Sequence, residues 1–303
     1  YGDHRDLHSF PTRRSFDLIS LDRRGVATVF DSALVGQWQG IAVEPGGARI
    51  VLVQGTSEGS DLLVRNRDDG SQVRLSVPGM ILGDPAFTTD GRGLLFLGFG
   101  RAPKVYRVRP RASMQFDEIL AAPPLSVIRA PAMVSDSGPL HFHEQGATGP
   151  RLVVASPPAM RFDTISTPGA DSATYPRLSP DGKWLAYASF SAEGSSIHVR
   201  SADPHRSEDW TVSARSSTGV HARWSPTGTE LFYVANDSMI AARVSTEPSF
   251  RAIDRQALFP VTGLLSRFDV TGDGQFFMLR PRPDKRPPTT LVMVEHWTDL
   301  LPR

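Results

Sequence analysis

The pattern Gly55-Thr-Ser-Glu-Gly59 is the first place where residue type and spacing could support catalysis. A G-x-S-x-G pattern presents a nucleophilic serine when a strand precedes it and a helix follows it. Here a β-type run stands on each side, so Ser57 is predicted to lie in a hairpin loop. The similar polar run Ser189–Ser196 stands between two further β-type runs. The sequence therefore predicts a loop at this place and no catalytic residue.

Two histidines could instead bind a metal ion. His141 and His143 are two residues apart, so both imidazoles point to one face of a predicted strand. Imidazole suits zinc and copper, but the sequence supplies no evident third ligand. The aspartate-rich segments Asp68-Asp69-Gly70 and Asp273-Gly274 lack the distal glutamate of a calcium loop and are predicted to be turns. We therefore expect no metal site, and without a phosphate-binding or dinucleotide fingerprint we expect no cofactor.

A repeated phrase predicts the elements that position these residues. Its clearest copy is Ser179-Pro-Asp-Gly-Lys-Trp-Leu185, and the fourth residue of each copy is here named the anchor. The six anchors are Gly47, Gly91, Ser137, Gly182, Gly228 and Gly274. They are 44, 46, 45, 46 and 46 residues apart. A period of about 40 to 50 residues with β-type content is typical of propeller blades.

The residues around each anchor have the pattern of a β-hairpin. Positions four before, three after and five after the anchor are apolar or aromatic in all six copies. The last two positions alternate, so they share one face of a strand, and the Pro-Asp-Gly centre is a turn. A third strand is predicted at Leu62–Val64, Val105–Val108, Leu152–Ala155, Ile197–Arg200, Met239–Val244 and Leu291–Val294. With a further hairpin turn at Asp69-Gly70, the pattern predicts an all-β fold, a six-bladed β-propeller of four-stranded antiparallel blades.

The closure of the ring has two candidate strands for one position. Leu18–Phe30 is predicted to form a hairpin whose second strand, Val26–Phe30, is the outer strand of the sixth blade. Its first strand then competes with Leu291–Val294 for the third position. Either one of them is displaced, or a partial seventh blade belongs to the protein. We favour six blades.

The first eighteen residues resemble the in-frame translation of a widely used DNA-sequencing adapter, with Phe16 as the one departure. The segment shows no hydrophobic period, so we expect residues 1–18 to be non-structural and residues 19–303 to form the propeller. Deleting Tyr1–Leu18 should then leave the melting temperature unchanged. On this interpretation the natural N-terminal region of the protein is absent from the sequence.

Composition excludes several classes of protein. The formal net charge is +1 and no basic stripe is present, so we expect no nucleic-acid partner. The absence of cysteine excludes disulfides and thiolate metal sites. No run of 18 apolar residues exists, so we expect no membrane span in this sequence. Arginine outnumbers lysine thirty to three, which is typical of GC-rich bacterial genes.

The mouth of the central channel is the predicted ligand site. Residues seven or eight before each anchor stand just ahead of or within the innermost strand, so they are expected to gather at one end of the channel. This predicted rim consists of Gln39, Asp84, Arg129, Tyr175, His221 and Arg267. Both charges, an imidazole and a phenol could together receive a peptide or a small polar ligand. The alternative is that these groups only solvate and cap the channel.

The segment Tyr175-Pro-Arg-Leu-Ser-Pro-Asp-Gly-Lys-Trp-Leu-Ala-Tyr187 resembles the repeat of TolB-like propellers, and the resemblance covers 19–303. The third copy departs from it with Ser137, and the first lacks the aspartate. The ending Leu291–Leu301 is similar to the close of a subgroup in which the propeller is the C-terminal, sensor-like region of bacterial serine/threonine kinases or winged-helix regulators. His296 stands where that subgroup often has asparagine.

The resemblance implies a non-enzymatic, monomeric binding module that recognises a protein, a peptide or a small polar ligand. Its expected location is extracytoplasmic or periplasmic rather than cytoplasmic, as a fragment of a larger receptor kinase-like protein. No kinase signature is present, so kinase activity is not expected of this segment. Two alternatives stay open: a stand-alone periplasmic TolB-like partner protein, and the propeller that gates a serine peptidase of the prolyl-oligopeptidase type. The second would require a catalytic α/β domain after the propeller.

Overall fold

The computed structural model describes residues 15–31, 34–56, 59–110, 113–122, 127–146, 149–157, 159–214, 221–265 and 267–282. Blades one to three are formed by β4 (Trp38–Val43), β5 (Arg49–Gly55), β6 (Ser60–Asn66), β7 (Gln72–Leu75), β8 (Ile81–Phe87), β9 (Leu94–Phe99), β10 (Lys104–Arg109), β11 (Ser113–Ala121), β12 (Ile128–Ala132), β13 (Leu140–Gly146), β14 (Gly149–Ser156) and β15 (Arg161–Ile165). Blades four and five are formed by β16 (Ser172–Leu178), β17 (Trp184–Ser191), β18 (Gly194–Ser201), β19 (Asp209–Thr211), β20 (Ala222–Trp224), β21 (Glu230–Ala235), β22 (Ser238–Ser245) and β23 (Arg251–Pro260). Blade six combines β24 (Phe268–Val270) and β25 (Phe276–Pro281) with β1 (Phe16–Leu21), β2 (Ala27–Val29) and the short β3 (Val35–Gly36).

The predicted fold class is confirmed. Five sheets hold four consecutive antiparallel strands each, and the sixth has the order β2-β1-β25-β24 with β3 paired to β1. Residues from the innermost strands of all six blades line one common cavity, as the blades of a propeller do around its channel. No helix that could cross a membrane is found in the part of the chain that the structure describes.

The repeated phrase forms the turn between the first two strands of a blade. In blade four Gly182 has φ +72°, a backbone conformation that glycine adopts without strain. Ser179 Oγ donates to Asp181 Oδ1 at 2.5 Å and accepts the N–H of Trp184 at 3.0 Å. Asp181 Oδ1 also accepts the N–H of Lys183 at 3.1 Å. The phrase thus fixes the point at which β17 begins, because its side chains satisfy the backbone donors of the turn.

The core lies between neighbouring blades. In β17, Leu185 and Tyr187 pack into the apolar cluster shared with blade three, whereas Ala186 and Ala188 pack into the cluster shared with blade five. Alternation along the strand therefore sends successive side chains to opposite neighbours. This is why the positions three and five after each anchor had to be apolar.

The ring is closed by the N-terminal hairpin. Strand β1 pairs with β25 over Phe16–Leu21 and takes the third position of blade six, and β2 is its outer strand. The competing strand predicted at Leu291–Val294 lies outside the described residues. The predicted boundary at residue 18 is wrong: β1 already begins at Phe16, and Phe16 and Leu18 are buried in the core. Residues 1–14 lie outside the described part of the chain.

Candidate functional site

A bulge at the same place in three innermost strands shapes the channel. Asp84, Ala130 and Tyr175 each stand seven residues before their anchor and have φ values of +46°, +53° and +55°. The register of β8, β12 and β16 shifts at this point. Each of the three residues is followed by a proline, which cannot donate to the strand ladder and is tolerated at bulges. Left-handed backbone at a non-glycine residue is strained and is retained where the surroundings demand it.

Three predicted rim residues form an ion cluster. Arg129 Nε lies 2.5 Å from Asp84 Oδ2, and its Nη2 donates to Asp84 Oδ1 at 3.1 Å. Arg267 reaches the same carboxylate from blade six, with Nη1 3.7 Å from Oδ1. Burial opposes the ionisation of Asp84, but the charges of Arg129 and Arg267 outweigh it and hold the pKa of that carboxyl below its usual range. One buried carboxylate thus connects blades two, three and six.

The aromatic part of the rim is also assembled. The ring centroids of Tyr175 and His221 lie 4.5 Å apart, and those of Tyr175 and His143 lie 5.3 Å apart. Burial, with the charges of Arg267 and Arg223, lowers the pKa of His221 well below its usual value. This imidazole is therefore neutral at pH 7.

Gln39 is placed differently from the other five predicted rim residues. Gly40 and Ala130 line the rim end of the channel, whereas Gln39 and Arg129 do not, and Arg129 joins the cluster through its hydrogen bonds to Asp84. The Gln39 carboxamide nitrogen lies beside Gly55 at the end of β5, 3.0 Å from where a Cβ at that position would stand. The structure therefore brings Asp84, Arg129, Tyr175, His221 and Arg267 together at the channel without Gln39.

A second charged layer lies deeper in the channel, five residues before each anchor. The six residues are Ala42, Ala86, Ala132, Arg177, Arg223 and Asp269. Blades one to three contribute only alanine, which leaves room for the long side chains of blades four and five. The sequence could have predicted this layer, because it stands two residues after the position seven before each anchor, and alternation along a strand places both positions on one face.

Arg223 and Asp269 form an ion pair across blades five and six. Arg223 Nε donates to Asp269 Oδ1 at 3.1 Å, and the other carboxylate oxygen accepts the N–H of Val43 in blade one at 2.8 Å. Asp269 therefore ties three blades together. Burial lowers the pKa of Arg223, and Asp269 opposes this effect.

Arg177 has no such acid. Its Nη1 donates to the carbonyl of the preceding residue, Pro176, at 2.9 Å. Among the described residues no carboxylate forms an ion pair with it. Burial, together with the charge of Arg223, lowers the pKa of Arg177 to about 9. It is still cationic at pH 7 and half-buried, without a contacting carboxylate in the described part of the chain.

The channel contains two cavities that meet at this layer. The rim-side cavity, about 30 Å³, is bordered by Asp84, Tyr175, His221 and Arg267. The turn-side cavity, about 150 Å³, lies at the opposite end among the hairpin turns. Arg177 and Arg223 border both. The predicted mouth is thus filled largely by its own ion cluster, and the larger space lies at the other end.

The two histidines of β13 face blade four. His141 Nε2 lies 3.3 Å from the carbonyl oxygen of Ala202, and His143 Nδ1 accepts the N–H of Tyr175 at 3.2 Å. Burial lowers the pKa of each imidazole to about 4. Within the described residues, no group of three or more histidine, aspartate or glutamate side chains is arranged to hold a metal ion.

The structure assembles a Ser–His–Asp contact that the sequence did not reveal. Ser196 Oγ lies 3.0 Å from His198 Nε2, and His198 Nδ1 lies 2.6 Å from Asp209 Oδ1. These distances match those of a nucleophile, a base and an orienting carboxylate. Ser196 is only 5% exposed, however, and neither channel cavity is bordered by it. Tyr187 donates to the same carboxylate and packs between blades three and four, so the group is a polar network within that interface.

The G-x-S-x-G pattern lies in the predicted place, between β5 and β6 of blade one. Thr56 and Gly59 close the connection through a backbone hydrogen bond of 2.8 Å. Ser57 and Glu58 themselves lie outside the described residues. No helix follows the pattern, since Ser60 begins the next strand.

No protein-family model and no curated protein matches the sequence. Solved propellers are similar in structure. A TolB-type protein from Agrobacterium tumefaciens has a TM-score of 0.66 at 16% identity, over 89% of this chain and 99% of that one. TolB from Acinetobacter baumannii has 0.56 at 14%, and the aligned region spans 89% of this chain but only 64% of that one. A prolyl endopeptidase has 0.52 at 11%, over 85% of this chain and 42% of its own. At such identities the similarity establishes a TolB-like six-bladed propeller fold.

Proposed function

We propose that this chain is a recognition propeller that binds a partner through its central channel and performs no chemistry on it. The observation that carries the proposal is the charge inside the channel. Four arginines, Arg129, Arg177, Arg223 and Arg267, face two aspartates, Asp84 and Asp269, which leaves an excess of two positive charges. Buried charges are costly to fold around and are commonly retained for function.

The proposed partner is a protein or peptide segment, or a small polar ligand, that meets the predicted rim. Gln39, Asp84, Arg129, Tyr175, His221 and Arg267 are the proposed contact residues. Arg267 is the side chain best suited to a ligand: its contact with Asp84 is long, at 3.7 Å, and 34% of its side chain is exposed. It could turn to a ligand while Arg129 continues to hold Asp84.

At a finer level, we propose that the propeller is the sensor region of a larger bacterial kinase-like receptor. The support is the resemblance of Leu291–Leu301, a segment outside the described residues. A stand-alone TolB-like partner protein and a peptidase-gating propeller are the rivals, and gluconolactonase and endopeptidase propellers are among the similar structures. Sequencing the source locus on both sides of this segment separates them, since a catalytic α/β domain encoded downstream would support the peptidase. A glycine-rich loop and a catalytic-loop aspartate support the receptor, whereas a signal peptide alone supports the stand-alone protein.

Channel recognition is tested by screening charged small molecules and short peptides for binding by thermal shift. A ligand of the rim should bind Arg267→Ala about tenfold or more weakly, since a charged hydrogen bond is lost. Arg129→Ala should weaken it further, although this change also removes the two hydrogen bonds from Arg129 to Asp84 and leaves the longer contact of Asp84 with Arg267. Arg24→Ala is the matched control, because this arginine is 83% exposed and its described ion pair is with the nearby Asp22. If the ligands found bound the parent protein and all three variants with the same affinity, recognition would take place outside the channel.

A further inference from the structure

We infer that the turn-side cavity binds a small monocarboxylate with an apolar body, whose carboxylate pairs with Arg177. The inference deepens the proposed function, on which it rests, by naming a ligand class and a second subsite. The subsite lies at the end of the channel opposite the predicted rim. Three features carry it: an unpaired cation, apolar walls and a limited volume.

The cation is the guanidinium of Arg177. Its described hydrogen bond to the carbonyl of Pro176 uses one of five N–H donors. Arg223, its neighbour in the layer, is already neutralised by Asp269. One positive charge is therefore left without a partner at the floor of the cavity. A carboxylate matches it in charge and in geometry, because two parallel N–H donors of a guanidinium meet two carboxylate oxygens.

The walls are apolar. The residues four before each anchor form a complete ring around the cavity, one from each blade. They are Val43, Phe87, Met133, Leu178, Trp224 and Val270. Prolines of the hairpin turns extend the apolar lining outward. A ligand in this space gains binding free energy by burying apolar surface. A hydrated inorganic anion has no apolar surface to bury.

The volume limits the size of the ligand. The cavity holds about 150 Å³, and an apolar cavity of about that volume in another protein accommodates benzene. A ring or short branched chain carrying one carboxylate fits these dimensions. A folded peptide segment does not, so a peptide could enter only by its terminal residue.

The pH dependence of such binding follows from Arg177. Because the pKa of Arg177 is lowered to about 9, the site loses its charge as the pH rises through that value. Arg223, Asp269, Asp84 and Arg267 are the charged groups that act on it from the surrounding blades. A carboxylate ligand would favour the charged form and oppose this loss.

The test uses benzoate as the probe, with benzamide as its uncharged counterpart and acetate as the carboxylate without an apolar body. Binding is measured by isothermal titration calorimetry at pH 7. Its location is read from the indole N–H resonance of Trp224, whose Nε1 donates to the carbonyl of Arg177 at 3.0 Å. We expect benzoate to bind with a Kd of about 1 mM or lower, as a ligand of its size can, and to shift this resonance.

The variants are Arg177→Gln, Arg177→Met and the charge-matched control Arg24→Gln. Both Arg177 variants should bind benzoate about 10- to 100-fold more weakly, and Arg24→Gln should bind as the parent does. The melting temperatures of both Arg177 variants should be unchanged or raised, because a half-buried charge without a described carboxylate partner is removed. Melting thus shows that a loss of binding comes from a folded protein.

Three results would overturn the inference. If Arg177→Gln bound benzoate as tightly as the parent protein, Arg177 would not contribute to the binding site. If benzamide bound as tightly as benzoate, the site would not recognise the carboxylate. The channel would still bind a ligand, so the proposed function would stand. Binding of none of the three probes would refute this subsite alone, since the proposed function is judged by ligands at the opposite, rim-side end.

Discussion

At the scale of single residues, burial decides the protonation of the groups around the channel. Asp84 keeps its charge because two arginines surround it. His141 and His143 have no such counter-charge in contact, so burial makes the neutral imidazole the stable form of each. The same physical effect therefore gives an ionised carboxylate and two neutral bases, depending on which neighbours the fold supplies.

The neutral histidines predict a specific response to acid. Because the pKa of each is about 4 in the folded protein and about 6.5 when unfolded, unfolding takes up protons between these values. Each histidine's contribution to the unfolding free energy, about 3 kcal/mol, is fully present above pH 6.5. This contribution is lost as the pH falls to about 4. Urea denaturation of His141→Gln at pH 7, 5.5 and 4.5 should show a smaller decline than the parent protein shows. The exposed His205→Gln is the control, and a decline in His141→Gln equal to that of the parent would refute the neutral imidazole.

At the scale of elements, each blade depends on the turn that carries the repeated phrase. These turns also contact the next blade: the N–H groups of Thr89 and Asp90 donate to carbonyls of Met133 and Val134 at 3.1 Å. Gly182 lies against the side chain of Val134 in the preceding blade, so that a Cβ there would enter the valine side chain. The anchor glycine of blade four is thus required both by its backbone angle and by the neighbouring blade.

Two glycines with the same backbone angle separate these requirements. Gly182 and Gly169 both have φ +72°, but nothing lies within 4 Å of a Cβ placed at Gly169. Gly169→Ala should cost about 1–2 kcal/mol from backbone strain alone. Gly182→Ala should cost about 2–4 kcal/mol, because the clash with Val134 is added. Chemical denaturation of both variants measures the difference in unfolding free energy. Equal decreases would show that the contact between Gly182 and Val134 adds nothing to the cost of the substitution.

At the scale of the whole molecule, β1 holds the ring closed. Its partners in β25 are about 260 residues away along the chain, with Phe16 opposite Pro281 and Leu21 opposite Phe276. Asp17 adds ion pairs to Arg280 and Arg282 at 3.5 and 2.5 Å. Asp84 and Asp269 tie further pairs of blades across the channel. Closure thus rests on one strand and on two carboxylates of the channel.

Deleting residues 1–18 should consequently destabilise the protein, contrary to what the adapter-like sequence suggested. The deletion removes the buried side chains of Phe16 and Leu18, a loss of about 3–5 kcal/mol, and should lower the melting temperature by roughly 10 °C. Deleting residues 1–14 keeps every described contact of β1 and serves as the control. An unchanged melting temperature after the longer deletion would show that β1 is not needed for closure.

The sequence by itself determined the propeller, because its signals are local. Apolar residues around each anchor and the turn chemistry of Ser-Pro-Asp-Gly act within about ten neighbouring residues, and six copies specify six blades. It also placed five of the six predicted rim residues at the channel. The departure of Gln39 from the channel was not encoded in spacing. Gln39 and Arg129 both stand eight residues before their anchors, and only the structure distinguishes their positions.

Only the tertiary structure decided which groups meet. Arg267 contacts Asp84 from a different blade, and Ser196 and His198 meet Asp209 on a neighbouring strand. Arg223 pairs with Asp269 of the next blade, 46 residues away along the chain. Likewise, two segments had the pattern of a closing strand, and packing placed β1 in blade six. Contacts between distant residues depend on the closed ring, and no local pattern records them.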